Sequence, residues 1–172
     1  TGAALFIKSK AWKEAEGFDA DFFAHFEEID LCWRLKRMGY KVGYCPDSIV
    51  YHVGGGTLKT SNPQKTYLNF RNNLVMMQKN LSVAAGIWKI SLRLWWDLFA
   101  LIKFLFDGKT ADAWAVSRGH QYFFKNFFKT AKKRKKYAQK ENKKGQYKNS
   151  IIWDYYMNKI HKYSDLHENN FH

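Results

Sequence analysis

The stretch from Ile87 to Phe106, IWKISLRLWWDLFALIKFLF, limits the possible folds of this chain more than any other segment. Its longest charge-free run is shorter than the roughly 20 apolar residues that a membrane-spanning helix needs. At 100° per residue, its four charged side chains fall within an arc of about 120° and leave a wide apolar face. These four are Lys89, Arg93, Asp97 and Lys103. The pattern fits a helix lying in a membrane interface, and it also fits a core helix packed on the rest of the protein.

Charge is distributed unevenly along the 172 residues. The formal net charge is +14, yet residues 1–56 hold seven Lys or Arg and eight Asp or Glu. The segment 125–144 alone contains ten basic residues against one glutamate. A basic surface of this kind has two candidate partners, nucleic acid and an anionic membrane face. We favour the membrane over nucleic acid, because the basic residues cluster in one low-complexity run while the front of the chain is close to neutral.

Three short apolar runs in the first third of the chain predict β-strands. They are Ala3–Lys8 and the runs at 40–45 and 48–53, which flank Pro46 and Asp47. Together with the helical spacings between them, they predict an α/β fold. Cys32 and Cys45 lie within apolar patterns, which predicts two buried, reduced thiols in a cytoplasmic protein.

The remaining patterns predict helices. Ser9 is a predicted N-cap, and the spacing over 27–38 predicts a helix that Gly39 ends. Pro63 begins another helix with apolar residues three and four apart, and a further helical region starts at about Ala111. The predicted division is an α/β portion at 1–58, a helical extension with the Trp-rich helix at 59–107, and a basic helical region at 108–172.

The helix over 27–38 carries the densest group of reactive side chains. Glu27, Asp30 and Arg34 are spaced i, i+3, i+7 and share one face, so Asp30 and Arg34 are expected to form an i, i+4 ion pair. Glu28 lies about 100° round from Glu27 and has no partner in this pattern. A carboxylate free to face a cleft can serve as a general base, although an acidic helix start is also favoured by the helix dipole alone.

His52 closes an apolar run just before Gly54, Gly55 and Gly56. A single histidine in such a run is usually structural, but its place beside a glycine loop is one where ligands and metals are bound. Imidazole suits a divalent ion such as Mn²⁺ when carboxylates complete the site, and no suitable acidic pair precedes His52.

The sequences TGAALFIKSKAW, GFDADFF and FEEIDLCWRLKRMGYKVGYCPDSIVYHVGGGT together resemble the C-terminal part of the catalytic domain of family 2 glycosyltransferases. Five elements follow that family's order over 1–57: GFD, an acidic element followed by arginine, GY, a proline, and a histidine before small residues. Members similar to bacterial rhamnosyltransferases are inverting enzymes of cell-surface polysaccharide biosynthesis. The resemblance implies the C-terminal portion of a GT-A, Rossmann-like nucleotide-sugar transferase domain, followed by a mostly helical basic extension.

The resemblance assigns the acid–base chemistry to the helix over 27–38. It implies that Glu28 is the base that takes the proton from the acceptor hydroxyl, with Asp30 and Arg34 as a supporting ion pair. The family more often has aspartate at the position of Glu28, which leaves Glu27 as a rival base.

The resemblance also implies a donor side and an acceptor side. His52, with Gly54, Gly55 and Gly56, would meet a divalent metal (Mn or Mg) or the donor diphosphate. The backbone at Gly2 and Ala3 would pass near the acceptor. The nucleotide-binding half and its Asp-x-Asp metal motif are not in this sequence, so the resemblance implies that the 172 residues alone are inactive.

The implied reaction transfers a sugar from a nucleotide-sugar donor to a hydroxyl of a polysaccharide or polyprenyl-linked glycan. Such acceptors lie at the inner face of the cell membrane, which implies a cytoplasmic, peripheral enzyme. Arg71 is expected either to contact a phosphate or to extend its charged end to water from the edge of an apolar stripe. The alternatives to an enzyme are a nucleic-acid-binding module and a non-catalytic membrane-docking module.

Overall fold

The computed structural model describes residues 2–45, 47–52, 62–136 and 144–172. The chain divides into two units, Thr1–Gln139 and Lys140–His172. The first contains helices α1 (Ser9–Glu14), α2 (Glu27–Arg37), α3 (Pro63–Asn80), α4 (Val83–Phe106), α5 (Thr110–Lys125) and α6 (Phe127–Lys136), and the second contains α7 (Ile151–Tyr156). Short 3-10 turns lie at Gly2–Ala4, Ala20–Phe22, Tyr163–Asp165 and Glu168–Asn170.

The predicted α/β fold is wrong, because the described residues contain helices and no β-strand. The predicted strand Ala3–Lys8 begins as a 3-10 turn. The described residues of the runs at 40–45 and 48–53 have no regular structure, and all of them except the half-buried Tyr40 are exposed. Tyr51 is 96% exposed, and Cys45, predicted to be buried, is exposed as well. A short apolar run becomes a strand when another strand pairs with it, and the described residues supply no such partner.

The helix signals in the sequence gave a better guide. Gly39 follows α2 with a φ of +91°, the left-handed conformation that a glycine after a helix supplies. Pro63 occupies the first turn of α3, and Ser82 caps α4 by accepting a hydrogen bond from a backbone amide. Ser9 is the first residue of α1 and not its cap, which is Lys8. The three-part division at 58 and 107 remains a prediction.

Helix α3 is the centre of the first unit, where it packs against α2, α4, α5 and α6. Its Leu74, Val75 and Met76 form a core with Phe22 and with Phe123 of α5. The α3–α5 contact is close at Gly119, where an added methyl group would lie 3.1 Å from the backbone nitrogen of Arg71. A second, smaller core of Ala11, Ala15, Leu31 and Leu35 joins α1 to α2.

The second unit is held by contacts between its two ends. Tyr147 and Phe171 form an isolated antiparallel bridge and their rings pack at 5.0 Å. Asp154 of α7 is buried and accepts hydrogen bonds from the Tyr147 hydroxyl at 2.6 Å and from Asn158 at 2.7 Å. These contacts fix α7 against the ends of the unit.

Candidate functional site

Asp30 lies in a buried group of charges between α2 and α3. Its carboxylate accepts hydrogen bonds from Arg34 Nε at 2.9 Å, Lys79 Nζ at 2.9 Å and Asn80 Nδ2 at 2.8 Å. The ion pair between Asp30 and Arg34 is the one that their spacing predicts. Because both carboxylate oxygens are engaged and the group is fully buried, Asp30 fixes α2 against α3.

A second group of charges links the acidic segment before α2 to α3 and α6. Asp19 binds Lys79 at 2.8 Å and Lys133 at 2.6 Å, and Asp21 binds Lys133 at 2.8 Å and Lys129 at 2.9 Å. Burial raises the pKa of Asp19, but the hydrogen bonds from Lys133 and Lys79 outweigh it and hold this pKa well below its usual range. Hydrogen bonds from Lys133 and Lys129 also lower the pKa of Asp21. Lys129 and Lys133 of the basic segment therefore form ion pairs within the protein.

The backbone between these aspartates and α2 is strained. Phe23, His25 and Phe26 have φ angles of +62°, +66° and +69°, in the left-handed region that bulky residues rarely adopt. Each such residue costs on the order of 1–3 kcal/mol and persists when its surroundings hold it in place. The strained segment, residues 22–26, is therefore held by other parts of the fold.

Two side chains of α3 hold the strained segment. The amide nitrogen of Asn72 donates to three backbone carbonyls, those of Phe22 at 3.0 Å, Ala24 at 2.8 Å and His25 at 2.8 Å. Arg71 donates through Nη2 to the carbonyls of Asp21 and Phe22, and through Nε to Asn72 Oδ1 at 2.7 Å. Arg71 is 8% exposed, so the expectation that its charged end reaches water is wrong. Its contact with a phosphate stays a prediction.

The strained segment leads directly into the two predicted bases. The Oε2 atoms of Glu27 and Glu28 and the Nε2 atom of His25 are buried without a hydrogen-bond partner in the part of the chain that the structure describes. Gly2 lies beside them, since a methyl group added to it would be 3.8 Å from Glu27 Oε1 and from Glu28 Cβ. The structure thus brings Gly2 together with Glu27 and Glu28. Ala3 follows in the same 3-10 turn.

The predicted donor side is not assembled in the same way. His52 is exposed and has no regular secondary structure around it. Gly54, Gly55 and Gly56 lie outside the described residues. Within the described ranges, no group of three or more His, Cys, Asp or Glu side chains is placed to hold a metal ion. The predicted role of His52 in metal or diphosphate binding stays a prediction.

Helix α4 turns a broad apolar face outward from the first unit. Its exposed large side chains are Val83, Ile87, Trp88, Leu92, Trp95, Trp96, Leu98, Phe99, Ile102, Leu105 and Phe106. We call these residues the α4 outer face. Trp88, Trp95 and Trp96 are 64–69% exposed. Lys89 and Lys103 are exposed along one edge of this face. No described helix combines the length and hydropathy needed to cross a bilayer.

Two charged residues of α4, Arg93 and Asp97, make their contacts inside the protein. Asp97 is 1% exposed and binds Arg93 Nε at 2.5 Å and His120 Nε2 of α5 at 2.9 Å. Arg93 also stacks over the ring of Phe70 of α3, 5.2 Å from its centroid. A surface helix ordinarily buries its large apolar side chains and exposes its charges. Helix α4 instead exposes most of its large apolar side chains and buries Asp97.

Of the α3 side chains that bond to the acidic segment or to α2, sequence reasoning named Arg71 for another role and missed the other three. These side chains are Arg71, Asn72, Lys79 and Asn80, all buried. Polar residues next to the apolar positions of that helix were the available signal, because buried polar groups need hydrogen-bond partners. Their partners in the acidic segment and in α2 lie 47 or more positions away in the sequence, so spacing alone does not find them.

Comparison with known families, curated proteins and solved structures finds no match to this chain. The resemblance to family 2 glycosyltransferases is therefore corrected: no family match supports it, and described residues without strands do not fit a GT-A, Rossmann-like fragment.

Proposed function

We propose that this protein binds the surface of an anionic lipid membrane through the α4 outer face. The observation that carries the proposal is the broad exposed apolar surface of α4, with Asp97 buried and Trp95, Trp96 and Phe99 exposed. An exposed apolar patch of this extent is typical of a protein–protein or membrane contact. The proposal places the protein peripherally at the cytoplasmic leaflet, where anionic lipid is concentrated.

Lipid is the occupant that fits the chemistry of this face. Tryptophan and phenylalanine have large apolar surfaces, and tryptophan also carries an N–H group that favours the boundary between headgroups and acyl chains. Lys89 and Lys103 along the edge suit lipid phosphates and carboxylates. Burial of one aromatic side chain is worth about 1.5–3 kcal/mol, and a lysine near an anionic surface adds about 1 kcal/mol.

The test is co-sedimentation of the protein with vesicles of phosphatidylcholine, with or without phosphatidylserine. The double variant Trp95→Gln/Phe99→Gln is expected to bind the anionic vesicles roughly a hundredfold more weakly than the natural sequence. The matched control is Tyr44→Gln/Tyr51→Gln, which removes two exposed aromatic rings outside α4 and should leave binding unchanged. Equal affinity of the α4 variant and the natural sequence would contradict the proposal, and so would the absence of binding to either vesicle.

A second candidate function is transfer of a sugar from a nucleotide-sugar donor to the hydroxyl of a glycan or polyprenyl-linked acceptor. The observation that favours it is the pair of buried Oε2 atoms on Glu27 and Glu28, which have no hydrogen-bond partner among the described residues. A carboxylate so placed can take the proton of an acceptor hydroxyl. The hydroxyl oxygen then forms the new bond to the anomeric carbon, and the bond from that carbon to the diphosphate breaks. A divalent cation would neutralise the departing diphosphate.

The test of this candidate uses the native protein in the membrane fraction of cells that make it. Labelled UDP-, GDP- and dTDP-sugars are supplied, and incorporation into lipid-linked product is measured. Glu28→Gln should abolish incorporation, or Glu27→Gln if that residue is the base, while Glu14→Gln on α1 should not change it. Full incorporation by both the Glu27 and the Glu28 variants would rule the candidate out.

A further inference from the structure

Glu27 and Glu28 follow the strained segment directly in the chain, and the Oε2 atom of each has no hydrogen-bond partner among the described residues. Helix α3 holds the strained segment from one side. Five hydrogen bonds from Arg71 and Asn72 end on backbone carbonyls of residues 21–25. Such a concentration of side-chain donors on one short stretch of backbone is unusual, because most backbone groups are satisfied by other backbone groups. The arrangement fixes one conformation of this backbone.

Asn72 has the larger part in this arrangement. Asn72 donates to the carbonyls of Phe22 and Ala24, on either side of Phe23, and to the carbonyl of His25. Phe23 and His25 are two of the residues with positive φ. Arg71 fixes the orientation of the Asn72 amide through its bond to Oδ1. The Arg71 guanidinium is held in turn between the rings of Tyr67 and Tyr122, with centroids at 5.3 Å and 4.9 Å. These contacts hold the donor atoms of Arg71 and Asn72 in one orientation.

The backbone of the strained segment sets where α2 begins. Phe26 is the N-cap residue of α2, and its carbonyl accepts the hydrogen bond of the Asp30 amide at 2.9 Å. The N-cap has left-handed φ and ψ angles, and Phe26 makes no side-chain cap bond. The direction in which Glu27 and Glu28 leave the first turn thus depends on the preceding backbone, which Asn72 holds.

We propose that Asn72 is a positioning residue, which fixes the strained segment and so aims the carboxylates of Glu27 and Glu28. The chemical use of this placement rests on the sugar-transfer candidate above, in which one of these carboxylates takes the proton of a hydroxyl. The placement itself rests on the hydrogen bonds and the backbone angles alone. Neither Glu27 nor Glu28 contacts Asn72 in the proposal, since Asn72 acts through the backbone.

The test compares Asn72→Asp with Asn69→Asp in the full chain. Asn72→Asp keeps the side-chain shape but replaces the donating amide by an oxygen that faces carbonyl oxygens. Asn69→Asp adds the same charge to the same helix. Amide hydrogen exchange over 22–26 is expected to become roughly tenfold faster or more in Asn72→Asp, with the core amides of α3 and α5 unchanged. The Asn69→Asp variant should exchange as the natural protein does.

A second readout separates positioning from general support of the fold. With ¹³C-labelled glutamate, the side-chain carboxyl resonances of Glu27 and Glu28 are expected to shift in Asn72→Asp and to stay in place in Asn69→Asp. If Asn72→Asp does not fold, Asn72→Ser keeps a short donor and gives a smaller change of the same kind. Unchanged exchange over 22–26, equal acceleration throughout the core, or unmoved carboxyl resonances of Glu27 and Glu28 would overturn the proposal. A negative sugar-transfer assay would not change the results expected from hydrogen exchange and NMR. Failure of the sugar-transfer candidate can therefore be distinguished from failure of the positioning proposal.

Discussion

Helices α3 and α4 follow each other in the chain but differ in which side chains they bury: α3 buries several polar side chains, and α4 exposes most of its large apolar ones. Helix α3 buries Arg71, Asn72, Lys79 and Asn80, and each of them donates hydrogen bonds within the protein. Helix α4 exposes most of its tryptophan and phenylalanine. The unusual residues of α3 are thus explained by partners inside the protein. Those of α4 have no comparable explanation among the described residues, which is why α4 indicates an external partner.

The largest effect that distinguishes the two helices is expected at Lys79. Its Nζ lies 2.8 Å from Asp19 and 2.9 Å from Asp30, and the side chain is 1% exposed. Lys79→Met leaves the fully buried Asp30 with fewer cations, so the free energy of unfolding should fall by about 3–5 kcal/mol. Denaturant unfolding measures this loss. Lys89→Met on the exposed side of α4 is the control, with a change within about 0.5 kcal/mol. A loss below about 1 kcal/mol at Lys79 would show that the buried charges are not coupled as described.

A smaller effect is expected from acid, through Asp19. Its folded pKa lies below the ordinary value of 3.8, so the stability that it contributes is present above this value and is lost as the pH falls below it. Urea unfolding near pH 7 and near pH 3 should show that Asn in place of Asp19 reduces the acid-induced loss by on the order of 1–2 kcal/mol. Glu14→Gln, a partly exposed carboxylate of α1, is the control. An acid-induced loss that is unaltered by Asp19→Asn would contradict the lowered pKa.

The smallest effect is expected at Trp96, which is 69% exposed on α4. In buffer without lipid, Trp96→Gln should change the free energy of unfolding by less than about 0.5 kcal/mol, because the ring contacts little of the protein. The buried Phe123→Ala of α5 provides the contrast, with an expected loss of about 3–5 kcal/mol. A large loss at Trp96 would mean that the ring supports the fold and that the α4 outer face is a part of the core.

Sequence reasoning predicted the helices better than the rest of the fold. The 3-4 spacing of apolar residues gives α2 and α3, and Gly39 and Pro63 mark two of their ends. The strands were wrong because an apolar run of six residues, such as Ala3–Lys8, fits several structures until its neighbours are known. For α4, the sequence predicted one polar and one apolar face. The orientation of these two surfaces depends on the contact between Asp97 of α4 and His120 of α5. That contact is tertiary, so the sequence pattern of α4 does not reveal it.

The candidate site was predictable to a similar extent. The ion pair between Asp30 and Arg34 follows from i, i+4 spacing within one helix. The same geometry leaves Glu28 without an ion-pair partner on its helix, and among the described residues the Oε2 atoms of both Glu28 and Glu27 lack a hydrogen-bond partner. The role of Asn72 was not predictable, because its three acceptors are backbone carbonyls of the strained segment. The positive φ angles of that segment cannot be inferred from its residue types.

The most direct test of the central claim is a spin label on the outward side of α4. Ser91 is exposed on that side and is replaced by a labelled cysteine in a Cys32→Ser/Cys45→Ser background, with a label at the exposed Ser48 as the control. On vesicles containing phosphatidylserine, the label at residue 91 should become more accessible to oxygen and less accessible to a water-soluble nickel chelate. The label at residue 48 should not change. A label at residue 91 that stays equally accessible to the chelate while the protein is bound to the vesicles would contradict membrane binding through α4.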